Sequence, residues 1–218
     1  MKKIRFYMAF LLFFAVSYGL LAQRSSSDAI KILNKVYESY EKSSGIKVSF
    51  IMKNVESNGY ADEAQRGTAL VKNNKFHVSL PTMNVWFDGS TQWVWIRDVN
   101  EVSISNPSKD EIATISPLAL ISMYKDGYVL DAPLSKQING KNTYQIGLNP
   151  TDIKTEFKKI WVAIDKKDNS LVQVTFTLKN GVKTTIDIQK YESQLHFSDA
   201  DFLFNSAQYP DVEIVDLR

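Results

Sequence analysis

The chain has 218 residues, 26 Lys and Arg against 24 Asp and Glu, a formal net charge of +2 and no cysteine. Without cysteine it forms neither disulfide staples nor the acylated cysteine anchor of a bacterial lipoprotein, so a buried core must supply stability. The near balance of charge, with no Lys/Arg block in the body of the chain, excludes the footprint of a nucleic-acid binder and of a polybasic segment for anionic membranes.

Met1-Lys2-Lys3-Ile4-Arg5 followed by an apolar run from Phe6 to Leu21 has the pattern of an export signal. A cut after Ala22 puts a small residue at the site and leaves residues 23–218 as one domain. The alternative is a retained anchor, for which Phe6 to Ala22 is at the short limit. Removing Lys2, Lys3 and Arg5 lowers the basic count from 26 to about 23 and turns the charge slightly negative.

From Ser26 to Lys42, Ala29, Ile30, Leu33, Val36, Tyr37 and Tyr40 recur at three- and four-residue spacing, which predicts one amphipathic helix. Ser27 or Asp28 caps its start and Gly45 follows its end. Beyond Gly45 the period becomes two, as in Ile46-Val48-Phe50-Met52 and Phe76-Val78-Leu80. Asn73-Asn74, Asp88-Gly89, Asn139-Gly140, Asp168-Asn169 and Asn180-Gly181 separate such runs, where hairpins need positive φ. The reading predicts about eleven strands in a largely antiparallel meander. One segment breaks it: Ser116-Pro117 opens an apolar stretch to Tyr124, a serine cap and an N1 proline that predict a second, short helix. Being apolar nearly all round, that helix must cover something oily.

One helix and a short second one do not cover both faces of such a sheet, and strong twist would curl it into an unclosed half-barrel. The expected fold is therefore α+β, a curved antiparallel sheet around an apolar cavity. Phe50, Phe76, Val78, Trp86, Trp93 and Trp95 are the candidate lining residues; Trp93 and Trp95 share a face. Each aromatic taken singly is better explained as core packing than as ligand contact, so only the set points to a cavity, and alternation does not say which face points inward.

Chemistry-bearing residues are sparse. His77 and His196 are the only histidines, and they sit too far apart in sequence for a two-histidine metal motif. Asp199 and Asp201 follow Ser198, an arrangement that helix-start capping explains better than metal binding. With no phosphate loop, nucleophile elbow or dinucleotide fingerprint, no catalytic residue, metal or cofactor is expected.

Several patterns in order along the chain resemble the periplasmic outer-membrane lipoprotein carrier family, LolA. They are the first helix leading into Val48-Ser49-Phe50, Gly67 to Lys72 followed by Phe76, and Asp88-Gly89-Ser90-Thr91-Gln92-Trp93-Val94-Trp95. Ser116-Pro117-Leu118 resembles the start of the family's lid helix, and Phe202 to Arg218 resembles its tail. The resemblance implies an unclosed barrel with a helical lid, a periplasmic monomer, and lipoprotein transfer from an inner-membrane ABC transporter complex to an outer-membrane acceptor. Where the family has an arginine that holds the lid, this chain has Asn73, with fewer donors and no charge.

Sheltering about ten methylenes from water is worth on the order of 8 kcal/mol, so an apolar lumen suffices for carriage. The lid residues Pro117, Leu118, Leu120 and Ile121 are expected to fill the empty cavity and swing aside for acyl chains. Leu118→Glu should then abolish lipid uptake and leave the sheet folded. The alternatives are a lipid- or lipoprotein-sensing module and a hydrolase of envelope lipids, in which case bound lipid would be recovered cleaved.

Overall fold

The amphipathic period of the first helix is realised as α1, residues 27–41, in the computed structural model, which describes residues 27–125 and 127–218. The expected signal and its cut after Ala22 lie outside the described residues. Ala29, Leu33 and Val36 are buried, whereas Ile30 of the predicted stripe is exposed, so the first three mark the face laid on the sheet.

Six strands follow: β1 (Ile46–Val55), β2 (Gln65–Lys72), β3 (Lys75–Ser79), β4 (Met83–Phe87), β5 (Gln92–Ile96) and β6 (Glu101–Ser105). Two helices, α2 (Lys109–Ile115) and α3 (Pro117–Ser122), and a 3-10 turn at Met123–Lys125 interrupt the meander. It resumes with β7 (Tyr128–Leu130), β8 (Leu134–Ile138), β9 (Lys141–Pro150), β10 (Phe157–Asp165), β11 (Leu171–Leu178) and β12 (Lys183–Glu192). A tail with two 3-10 turns, Asp199–Phe202 and Ser206–Gln208, ends in β13 (Glu213–Asp216). Among the described residues the sheet thus has 13 strands, the short edge strands β7 and β13 carrying too little pattern to be read from sequence.

The strand order is β13-β6-β5-β4-β3-β2-β1-β12-β11-β10-β9-β7, with β8 paired to β9. β1 pairs with β12 and so joins the two meanders, while the two ends of the order stay apart, which leaves the curved sheet unclosed. All pairs are antiparallel except β13 with β6. Asn73, Asn139 and Asn169 take φ of 54°, 50° and 58° at the predicted turns, a left-handed region that asparagine tolerates better than most residues.

Pairing register sorts the side chains. Val48, Phe50, Val71, Phe76, Val78 and Phe87 share the core with Ile146, Ile160, Val162 and Ile186. Trp86 lies opposite both His77 and Trp93, and Trp95 lies opposite Asn84; alternation therefore sets these residues on the other face. The expectation that Trp86, Trp93 and Trp95 line one cavity with Phe50, Phe76 and Val78 is corrected by this register.

The tail covers that outer face. Phe204 and Tyr209 each pack edge-on against Trp86 at 5.6 Å between ring centroids, and Tyr209 also meets Trp95 at 4.8 Å. Asn100 donates to the carbonyls of Pro210 and Asp211. Asp201 accepts from the Ser198 backbone at 2.7 Å, the capping role expected of this pair, whereas Asp199 reaches Lys75 at 3.1 Å and Lys72 at 3.5 Å.

His77 stacks on Trp86 at 4.9 Å, and its Nε2 is buried without a partner among the described residues. Burial pushes its pKa below the ordinary value, with nearby Asp201 acting in the opposite direction. As pH falls past about 6.5 the unfolded chain therefore takes the proton first. Stability is full above that pH, declines toward the lower folded value and levels off below it. His77→Phe should flatten this slope in urea unfolding compared at pH 7.5 and 5; an unaltered slope would mean that His77 titrates alike in both states.

Candidate functional site

The face opposite the tail carries a cavity of about 1180 Å³. Its floor comes from the sheet: Val71 of β2, Phe76 of β3 and Phe87 of β4. Phe76 and Phe87 are register partners with ring centroids 5.2 Å apart. Tyr37, Tyr40 and Glu41 of α1 form one wall. The other is built by Ile112 of α2, Ala119 and Ser122 of α3, and Met123. Charge sits at the mouth, where Lys75, Lys109, Lys125 and Lys154 alternate with Asp110 and Asp152.

Local sequence holds the helical wall in place. Ser108 and Glu111 form a reciprocal capping box at the start of α2, which satisfies two otherwise orphaned donors. Buried Ser116 ends α2 and starts α3, its Oγ accepting from the Ala119 N–H at 3.3 Å. Asp110 accepts from the Thr155 hydroxyl at 2.5 Å and the Glu156 N–H at 3.1 Å, which ties α2 to the β9–β10 loop. The Tyr124 hydroxyl donates to Asn34 at 2.5 Å and so links the segment after α3 to α1.

The tyrosines complete the wall as neutral groups. The Glu41 carboxylate beside Tyr37, together with burial, pushes that phenol up to about 12. Burial raises Tyr40 as well, and its hydroxyl donates to the Asn73 carbonyl. Lys125 lies 3.3 Å from the Tyr37 ring centroid, a cation–π contact at the mouth. The result is an apolar floor of Val71, Phe76 and Phe87 under walls that mix apolar, hydroxyl and charged side chains, suited to an amphiphile whose apolar part meets the floor and whose head meets the polar groups.

Of the residues singled out in the sequence, Phe76 reaches the cavity floor, and Phe50 and Val78 lie on the same face, packed in the core. Asn73 stands at the mouth, holding Tyr40 through its carbonyl. Ile121 is buried and faces a second, smaller hollow. Pro117, Leu118 and Leu120 belong to α3, but their side chains lie outside the described residues. The sequence reading missed α2, which the Ser108-x-x-Glu111 capping signature would have revealed, and left out of the lining set Phe87, which the β3–β4 hairpin sets beside Phe76. Tyr37 and Tyr40 were legible as a helix face but not as a cavity wall.

A family model described as "Outer membrane lipoprotein carrier protein LolA" matches residues 18–182. No curated protein matches the chain. Among solved structures, a conserved protein from Thermus thermophilus aligns with a TM-score of 0.57 at 11% identity, over 87% of this chain and 99% of that one. A LolA superfamily protein from Nitrosomonas europaea gives 0.46 at 14% identity, over 81% and 97%. The lipoprotein LppX of Mycobacterium tuberculosis gives 0.44 at 14%, over 74% and 93%. The Thermus likeness establishes a shared fold.

Proposed function

Since the chain belongs to the outer membrane lipoprotein carrier protein LolA family, we propose that it is a non-enzymatic carrier that shelters the acyl chains of lipoproteins or other lipids in its main cavity. The observation that carries this reading is the cavity itself. About 1180 Å³ of space over Val71, Phe76 and Phe87 exceeds the roughly 300–1,000 Å³ of ordinary small-molecule pockets. Each methylene taken from water contributes about 0.8 kcal/mol, so hydrocarbon alone gives ample affinity without a positioned reactive group.

The finer reading is a shuttle through the periplasm, from an inner-membrane ABC transporter complex to an outer-membrane acceptor, by residues 23–218 after removal of the signal. The Asn73 carbonyl accepts from the Tyr40 hydroxyl and so ties the β2–β3 turn to α1, the wall that faces the α3 lid. Tyr40→Phe removes that hydrogen bond and should speed release of a fluorescent fatty acid to acceptor vesicles several-fold in stopped-flow measurements. An unchanged release rate would leave Asn73 as a turn residue only.

Native mass spectrometry of protein purified from the periplasm tests the carrier reading. The expected spectrum shows an intact lipid or lipoprotein adduct, lost on delipidation and replaced by palmitate when palmitate is added. A protein that arrives empty and takes up no palmitate overturns it, and a cleaved lipid would point to the hydrolase instead.

A further inference from the structure

A second hollow, of about 210 Å³, lies between α1, the β10–β11 turn and β12. Tyr37 and Tyr40 line both this hollow and the main cavity, so these two residues form a wall common to both. α3 is shared in the same way: Ala119 and Ser122 face the main cavity and Ile121 faces the second hollow. Resting on the carrier reading above, we propose that this hollow is a second hydrocarbon subsite, which takes the end of one chain of a lipid bearing two or more chains while the main cavity holds the rest.

The chemistry of the walls selects hydrocarbon. Val36, Ile121 and Leu171 are buried apolar side chains at the hollow, and the tyrosines beside them are kept neutral by burial and neighbouring carboxylates. Apart from Ser39 of α1 and the tyrosines, the polar residues belong to the turn, where Asp168 accepts from the Ser170 N–H at 2.9 Å. The volume is too small for a whole lipid and is suited to a chain end. Continuity comes from the tyrosine wall, in which the Tyr37 and Tyr40 rings stand 6.2 Å apart and tilted by 55°. At its edges the Tyr40 hydroxyl donates to Asn73, Lys125 sits on the Tyr37 ring, and Tyr37 also meets Glu41 and the edge of Tyr124. Small rotations of the two side chains would join the chambers, whereas the backbone of α1 need not move. The ligand class this favours is a multi-chain lipid over a free fatty acid.

Ser39 is exposed on α1 and borders the second hollow alone, so Ser39→Trp fills that hollow from the helix surface. Ser170→Trp does so from the opposite wall. The full purified chain, delipidated, is titrated with palmitate and with a synthetic lipopeptide carrying two palmitoyl chains. Losing shelter for about two methylenes already weakens binding about tenfold. Both variants are therefore expected to bind the lipopeptide at least about tenfold more weakly than the wild-type chain, with palmitate affinity and unfolding midpoint retained. Lys35→Trp, at an exposed position of α1 that borders neither chamber, should match the wild type for both probes. Folded tryptophan variants that keep lipopeptide affinity, or lose both probes in equal measure, overturn the second subsite. If the wild-type chain takes up neither probe, the carrier reading itself fails, an outcome distinct from palmitate binding without discrimination.

Discussion

Phe202→Ala is expected to lower the free energy of unfolding by about 3–5 kcal/mol, the usual loss for a buried phenylalanine. Phe202 is fully buried in the first 3-10 turn of the tail and meets Phe197 edge-on at 6.1 Å. That turn is moored to the β2–β3 hairpin, with Lys72 donating to the Phe197 carbonyl at 2.8 Å. Against a total of about 5–15 kcal/mol for a domain, the loss would leave the fold marginal. Tail and sheet act together here: once the turn loosens, Phe204 and Tyr209 lose their seat on Trp86, which is only 5% exposed. Urea unfolding gives the energy, and a red-shifted tryptophan emission in the folded baseline reports the uncovered ring. A loss below about 1 kcal/mol, well short of the buried-phenylalanine range, would show that the tail is an ornament on an independently stable sheet.

Ala119→Trp is expected to abolish binding in the main cavity while sparing the fold. Ala119 faces the cavity from α3, and an indole there occupies the space of several methylenes. Excluding about five methylenes forfeits on the order of 4 kcal/mol, close to three orders of magnitude in affinity. Palmitate and the two-chain lipopeptide should fail together, unlike the selective loss expected at Ser39. The substitution is on a short helix whose cap at Ser116 is untouched, so the unfolding midpoint should stay within a few degrees of the wild type. Undiminished palmitate binding by the folded variant would place the lipid elsewhere.

Local pattern named few of the residues that border the cavity, and the reasons differ from residue to residue. Phe76 lies at the cavity floor, since a strand so rich in apolar residues must face a core, and its turn at Asn73 was legible from asparagine's tolerance of positive φ. Trp86, Trp93 and Trp95 were misplaced because large aromatics are as suitable for the underside of a sheet as for a cavity. What conceals them is a segment more than a hundred residues further on: Asn84 donates to the Tyr209 hydroxyl across 125 positions. No window of local sequence contains that partner. α2 was overlooked for a different reason, since Lys109-Asp110-Glu111 reads as solvated loop until its cap is noticed.

The sequence by itself determined the elements with a strong period, namely α1, the long strands and their asparagine and glycine turns, and the family to which their order belongs. These follow from φ/ψ preference and the burial of one stripe, which act over a few residues. Only the tertiary structure decided which face of the sheet became the cavity. A two-residue period leaves both faces equivalent, and the choice was made by where α1, α3 and the tail came to lie, because each oily face must be covered by something.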